Sequence, residues 1–347
     1  MIRTSDKIKT LVRLFTDNRQ PKVFSFHDCL PDVFTRYIEL LVAKRYRIVG
    51  GEELWGRASF APKKKEVVLT FDDGRRNCWT VIFPLLKKYK AKAVVFVIPE
   101  RVRDTQEALP NLEDYWNGKV TWENLYQSHR REPYLTWAEL AKMKASGLVE
   151  VCSHGLRHEV VACSARLHDF QHPGVYEMPV YFDEWFQAGR PAVESVWGVP
   201  VYERSWAPLA QNVYEPPAEA AASMNAFVKK QGGFLFFRKK RWRALLQQHY
   251  DGLRPGAAPG LYRKNPTQET LVDSVSTSKR LIESRLKSSC PGFSLPLYQD
   301  PRVLEDALER AGYRLAFGGP FADRSRYKKV PILNRLPGFW LKFLSYF

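Results

Sequence analysis

The stretch VVLTFDDGRRN, Val67 to Asn77, runs from three aliphatic residues through Thr and Phe to two adjacent acids and a glycine. The pattern predicts a buried strand that ends at Phe71, with Asp72 and Asp73 directly after it. A turn is one explanation, because Asp-Asp-Gly is favourable turn chemistry. In parallel α/β folds, however, residues that follow strand ends form the active face. The two acids are therefore also candidates for catalysis.

Strand and helix patterns alternate on both sides of this stretch. KVFSF is followed by the helical pattern PDVFTRYIELLVAKRY and by RIVG, and a helix is predicted from about Cys78 to Lys90 before a strand from Ala93 to Ile98. The alternation returns in LTWAELAKMKASG and LVEVCS, and again in SKRLIESRL, GFSLPL, DPRVLEDALERAG and YRLAFGG. Such alternation predicts an α/β fold with a parallel sheet covered by helices.

The alternation is lost between Cys163 and Asp273, where prolines, tryptophans and the basic run VKKQGGFLFFRKKRWR occur. We expect residues 163–273 to form a long insertion within one barrel-like domain that spans residues 1–347. A separate second domain is the alternative.

Two histidines follow another predicted strand. LVEVCS is followed by HGLRH, which places His154 and His158 four residues apart. Two surface histidines are the simpler explanation, but H-x-x-x-H spacing suits two ligands of a divalent metal. Two histidines and one carboxylate form a three-ligand catalytic site with open positions. One of Asp72 and Asp73 would then be the third ligand, and the other a general base toward water.

LTFDDG and SHGLRH together resemble the first two motifs of the polysaccharide deacetylases. The resemblance implies the NodB-homology fold, a distorted (β/α) barrel that removes N-acetyl groups from amino sugars. It also implies that Asp72 is the base and that Asp73, His154 and His158 bind the metal. Zinc is the metal expected for two histidines and a carboxylate, although cobalt, nickel and manganese also suit these ligands.

Two further segments are similar to parts of this family. KVFSFHDCLPDVF resembles the opening of its permuted branch, which implies that His27 is the general acid; a core histidine is the alternative. FSLPLYQD resembles a late segment of the family and places Tyr298 where a nearby backbone amide would complete the oxyanion site. The usual arginine is absent from that segment, so we consider Arg204, in YERSWAP, as a residue that contacts the base and helps to bind substrate.

Composition limits the partners and the location. The formal charge is +17, which favours an anionic partner, but the chain has no nucleic-acid-binding motif. Its five cysteines form no C-x-x-C pair, so we expect a reducing compartment, the cytoplasm. No apolar run reaches about 18 residues, and we expect no transmembrane segment. Basic and aromatic residues alternate in residues 324–347, a pattern that favours peripheral attachment of this tail to an anionic membrane.

The predicted function is metal-dependent removal of N-acetyl groups from an amino sugar in a polysaccharide or a lipid-linked glycan precursor. A deformylase or another deacylase that acts on a lipid-linked amino sugar is the nearest alternative. A carbohydrate-binding homologue without turnover is a second, because SLPLYQD departs from the family pattern. A nucleic-acid binder is the third, and charge alone supports it.

Overall fold

The computed structural model describes residues 4–16, 20–55, 57, 65–125, 132–173, 196–253, 260–265, 271–299 and 302–346. The chain divides into two compact units, of which the first comprises Met1–Arg157 with Leu271–Phe347, and the second comprises His158–Thr270. Twelve strands are assigned in the described part: β1 Lys22–Phe26, β2 Arg47–Ile48, β3 Glu66–Phe71, β4 Ala93–Val97, β5 Val149–Ser153, β6 Val160–Phe170, β7 Pro200–Trp206, β8 Asn212–Glu215, β9 Leu261–Lys264, β10 Gly292–Ser294, β11 Leu315–Gly318 and β12 Ile332–Pro337.

A closed barrel of seven parallel strands forms the first unit, in the order β1, β12, β11, β10, β5, β4, β3 and back to β1. The short strand β2 pairs with β3 outside this ring. Every residue of β1, β3 and β4 is buried, as expected for parallel strands that are covered on both faces. The prediction of an α/β fold of the distorted (β/α) barrel type is thus confirmed.

Helices cover this barrel at Thr4–Thr16, Pro31–Ala43, Glu52–Trp55, Phe83–Tyr89, Leu112–Trp116, Trp137–Ala145, Leu271–Leu286 and Arg302–Arg310. The helix predicted from Cys78 to Lys90 begins with a π-helical segment, Cys78–Ile82, and continues as an α-helix to Tyr89. Such wide turns are frequent near functional sites. Among the described residues, no helix has both the length and the apolar character needed to cross a bilayer.

The last strand corrects one expectation. Residues 324–347 are predicted as a basic and aromatic tail, yet Ile332–Pro337 forms β12, which pairs with both β1 and β11. The six residues ILNRLP are largely buried because this strand closes the ring. Only the 3₁₀-helical segment Gly338–Tyr346 follows the barrel within the described chain.

The second unit has a core of its own. Strands β6 and β7 pair in antiparallel fashion, as do β8 and β9, and helices lie at Ala218–Lys230 and Trp242–Leu253. Its buried apolar residues are Phe170, Trp197, Tyr202, Tyr214, Met224, Val228, Phe236, Leu246 and Tyr250. The described parts of this region are therefore folded, whereas residues 174–195 of the predicted insertion lie outside the described residues.

Candidate active site

Two buried carboxylates and two buried histidines lie at the carboxyl ends of β3 and β5. Asp72 and Asp73 follow β3 directly, and His154 and His158 lie in the loop after β5. Ligand atoms of Asp73, His154 and His158 all lie within 4.8 Å of one another. The structure therefore brings together the three residues that the sequence suggests as metal ligands.

The loops that follow β3 and β5 contain unusual backbone conformations. Asp73 and His158 adopt positive φ angles of 68° and 53°, which non-glycine residues rarely do. Gly74 follows at +66°, and a β-carbon there would lie 3.1 Å from a methyl carbon of Val97. Non-glycine residues in left-handed conformations are strained, and such strained residues are concentrated at functional sites.

His154 makes a hydrogen bond that would orient its ring as a metal ligand. Its Nδ1 lies 3.0 Å from the carbonyl oxygen of Ser294, and because a carbonyl only accepts, Nδ1 carries the proton and donates. In the neutral ring, Nε2 is the nitrogen that carries the lone pair, and it lies 3.5 Å from Oδ1 of Asp73. That Asp73 oxygen is buried and has no hydrogen-bond donor among the described residues. A buried carboxylate oxygen beside an imidazole Nε2 is a donor set that fits a divalent cation.

Asp72 has a different partner. Nη1 of Arg335, in β12, donates to both Asp72 carboxylate oxygens at 2.7 and 2.9 Å, and Oγ of Ser294 donates to Oδ1 at 3.4 Å. Burial raises the pKa of Asp72, but the positive charge of Arg335, with His154 and His27, outweighs it and lowers the pKa to about 2. Asp72 is therefore ionised at neutral pH.

Arg335 is an arginine that contacts Asp72 from a strand of the barrel itself, and sequence reasoning did not find it. Arg204, the arginine that we considered from the sequence, lies in β7 of the second unit, where its register partner is Ala162. Its role in substrate binding stays a prediction. Arg335 is completely buried, and the Asp72 carboxylate helps to raise its pKa against the opposing effect of burial.

Tyr298 lies against the same arginine. The Arg335 guanidinium carbon is 5.2 Å from the centre of the Tyr298 ring, and the Tyr298 hydroxyl is 2.7 Å from Oγ of Ser25. Burial raises the pKa of Tyr298. Its backbone N–H donates to the carbonyl of Leu295 at 3.2 Å. The Tyr298 amide itself is thus engaged in a turn, and an oxyanion donor in this segment has to be another group.

His27 lies at the open side of the site. It follows β1, its side chain is 35% exposed, and its Nε2 is 3.8 Å from Oδ2 of Asp73. His27 is thus close to the proposed metal ligands and is far more accessible than His154, whose side chain is 4% exposed. Among the two explanations for His27, its position supports a role in the site more than a role in the core.

The chain matches the polysaccharide deacetylase family model over residues 60–173, a range that contains Asp72, Asp73, His154 and His158. Among solved structures, it is similar to a de-N-acetylase from Aggregatibacter actinomycetemcomitans, with 19% identity, a TM-score of 0.50, and coverage of 91% of this chain and 93% of that one. IcaB from Ammonifex degensii is 16% identical, with a TM-score of 0.49 and coverage of 94% and 97%. The deacetylase domain of BpsB from Bordetella bronchiseptica is 16% identical, with a TM-score of 0.49 and coverage of 92% and 96%. A comparison with curated protein sequences found no match.

Proposed function

Because residues 60–173 match the polysaccharide deacetylase family model, we propose that the chain is a metal-dependent hydrolase that removes N-acetyl groups from an amino sugar in a polysaccharide or a lipid-linked glycan precursor. The observation that carries this proposal is the convergence of Asp73, His154 and His158 beside an ionised Asp72. Each group has the chemistry that hydrolysis of an unactivated amide requires.

Asp73, His154 and His158 would hold the metal. A divalent cation bound there supplies Lewis acidity, which polarises the acyl oxygen and lowers the pKa of a water molecule. Zinc is the metal we propose, because one carboxylate with two imidazoles is a typical ligand set for catalytic zinc. The backbone carbonyl of Ser294 supports the site by accepting a hydrogen bond from Nδ1–H of His154, which directs Nε2 toward the metal position as the ligand atom.

The base is Asp72. Arg335 donates to both of its oxygens, but Oδ2 lacks the additional bond from Ser294 and lies 3.9 Å from Nε2 of His154. We assign Oδ2 as the atom that accepts the proton of the attacking water. Arg335 keeps the carboxylate charged and fixes its orientation, so that it is ready to act at neutral pH.

His27 is the proposed general acid. Its exposed position, 3.8 Å from Asp73, suits a group that donates a proton to the departing nitrogen while the C–N bond breaks. Water supplies the new C–O bond, and the products are acetate and a free amine. Tyr298 and Ser25 would line the same end of the barrel and help to position the substrate.

A panel of N-acetylated saccharides tests this proposal. Wild-type protein, first freed of metal and then supplied with zinc, should release amine and acid in equal amounts, whereas Asp72→Asn should not. Mass analysis of the acid distinguishes acetate from formate and hence a deacetylase from a deformylase. Absence of amine release from every saccharide, with zinc bound, would refute the assignment as an enzyme and favour a carbohydrate-binding protein.

We also propose that the enzyme works at an anionic membrane surface. The described end of the chain buries Leu341 and Leu344 but exposes Phe339, Phe343 and Tyr346, of which Tyr346 is 79% exposed. Two helices add exposed apolar residues beside it. The ring centres of Phe343 and of Phe15, on the helix that carries exposed Val12, are 6.3 Å apart. Lys44, two residues after exposed Val42, donates to the carbonyl of Ser345 at 2.9 Å.

Cations border this surface, which we call the aromatic face and define by Val12, Val42, Phe339, Phe343 and Tyr346. Arg13 directly follows Val12, Lys342 directly precedes Phe343, and Lys44 lies two residues after Val42. Exposed aromatic and aliphatic residues bordered by cations match an anionic leaflet, where each Lys or Arg contributes about 1 kcal/mol. Peripheral attachment of this kind would bring the site to a lipid-linked saccharide.

The basic run VKKQGGFLFFRKKRWR supports membrane attachment with fewer exposed apolar residues than its sequence suggests. Of the four apolar residues Phe234 to Phe237, Phe234 and Leu235 are exposed, whereas Phe236 is buried in the core of the second unit. Lys229, Lys230 and Arg238 are exposed around this short tip. All five cysteines are free thiols, which supports a reducing compartment such as the cytoplasm.

A further inference from the structure

Three side-chain hydrogen bonds join the loop that carries His27 to the loop that carries Asp73. The amide of Asn77 accepts from the backbone N–H of Cys29 at 2.9 Å and donates to the carbonyl oxygen of Cys29 at 3.2 Å. Nη2 of Arg75 donates to Oδ2 of Asp28 at 3.2 Å. We call these contacts the loop clamp. Arg75 and Asn77 belong to the segment RRN, directly after the Asp-Asp-Gly turn.

His27 lies between two anchored positions. On its amino-terminal side, the carbonyl of Phe26 accepts from the backbone N–H of Asp72 at 2.8 Å, which continues the pairing of β1 with β3. On its carboxyl-terminal side, Asn77 holds Cys29. Both anchors come from the segment that carries Asp73, so the position of His27 is set relative to that carboxylate.

The two parts of the loop clamp differ in strength. Asn77 and Cys29 are both buried. The Asn77 side chain bonds the N–H and the C=O of Cys29, two buried backbone groups that lie beyond the end of β1 and need hydrogen-bond partners. Arg75 is also buried, and its guanidinium lies 5.6 Å from the centre of the Tyr134 ring, but its partner Asp28 is half exposed. Solvent weakens ion pairs of that kind. We therefore expect Asn77 to contribute more than Arg75.

We propose that Asn77, assisted by Arg75, is a positioning residue for general-acid catalysis: it holds His27 where its proton reaches the departing nitrogen. This inference rests on the proposed function. Proton transfer is sensitive to geometry, and a displacement of about 1 Å costs on the order of 10²-fold in rate. Without Asn77, the backbone of residues 27–30 loses its buried partner, and His27 loses its fixed distance from Asp73.

The choice of leaving group separates positioning from general damage. An amine leaves an amide only when it is protonated, so an N-acetylated saccharide needs the general acid. The leaving group of para-nitrophenyl acetate departs as a stable anion and does not. Asn77→Ala should lower kcat for the saccharide by about 10-fold or more, while hydrolysis of the ester and the bound-metal content stay near those of the wild type.

A double variant identifies the residue through which Asn77 acts. If Asn77 acts through His27, the His27→Ala/Asn77→Ala variant should hydrolyse the saccharide no more slowly than His27→Ala alone. Asn225→Ala is a matched control, because Asn225 is a buried asparagine that donates to a backbone carbonyl, that of Trp197, at 3.0 Å in the second unit. It should leave the ratio of saccharide to ester hydrolysis unchanged.

Two results would overturn this inference. One is an equal loss of saccharide and ester hydrolysis in Asn77→Ala, and the other is an additive loss in the double variant. Failure of the proposed function itself has a different signature, because wild-type protein with bound metal would then release no amine from any N-acetylated saccharide.

Discussion

Replacing Arg335 with methionine should move the acidic limb of the pH–rate profile. Arg335 donates to both oxygens of Asp72, and neither residue is more than 2% exposed. Methionine has a similar length and no charge, so it removes the ion pair without opening a large cavity. Asp72 is then a buried carboxylate without its arginine partner, and burial raises its pKa.

The size of the pKa rise follows from the cost of breaking the buried ion pair between Arg335 and Asp72. Removing one partner of a buried ion pair costs about 3–5 kcal/mol, and one pKa unit corresponds to about 1.36 kcal/mol, which together give a rise of roughly 2–4 units. The pKa of Asp72, which is about 2 beside Arg335, would therefore reach roughly 4–6 in the variant. A base works only above its pKa, so activity should be lost at the acidic end.

The assay is kcat/KM for an N-acetylated saccharide between pH 4 and 8, with metal content measured at each pH. If the pKa of Asp72 in the variant is about 6, Arg335→Met should lose about 10-fold more activity at pH 5 than at pH 8, relative to wild type. Arg36→Met is the matched control, since Arg36 pairs with Asp32 at 2.7 Å but both side chains are largely exposed. Superimposable profiles for wild type and Arg335→Met would show that Arg335 does not control the ionisation of the base.

Three further predictions concern the same molecule. His154→Ala should lose most bound metal by elemental analysis, whereas His249→Ala, a histidine stacked on Phe227 in the second unit, should retain it. Asp72→Asn should keep the metal but lose at least about 10²-fold in turnover, and Asp73→Asn should lose metal first; the reverse order would exchange the two roles. Wild-type protein should co-sediment with anionic vesicles but not with neutral ones at low salt, and Phe343→Ser should weaken this binding, whereas equal recovery in the supernatant with both vesicles would exclude the membrane proposal.

The site residues that could be predicted share one property: they stand directly after strongly patterned strands. Asp72 and Asp73 follow an aliphatic run, and His154 follows another, so strand-end position and ligand chemistry were enough to group them. The parallel α/β sheet could be predicted for the same reason, because its longer strands are continuous apolar runs, whereas the distorted (β/α) barrel was implied by the family resemblance. Their roles as base and ligands remain proposals that the metal and turnover measurements will test.

Arg335 could not be found in this way. It lies inside β12 and not after it, in a six-residue strand that ends in a proline, and a buried arginine contradicts the apolar pattern by which strands are recognised. What identifies it is a partner remote in sequence, since Asp72 is 263 residues away. One feature of the sequence could have indicated β12. A closed barrel needs a strand between β11 and β1, and the partly apolar stretch ILNRLP follows β11 in the chain.

The place of β12 also decides how membrane attachment can be studied. The most direct experiment, deletion of every residue after Val330, would remove β12, open the barrel between β1 and β11, and take Arg335 away from Asp72. Loss of vesicle binding in such a protein could result from unfolding as well as from loss of the residues that contact the membrane. The aromatic members of the aromatic face all follow β12, and two of them, Phe339 and Phe343, are 61% and 38% exposed. Substitution of these two residues by serine keeps the closing strand in place, so that binding to vesicles and catalysis can be lost separately.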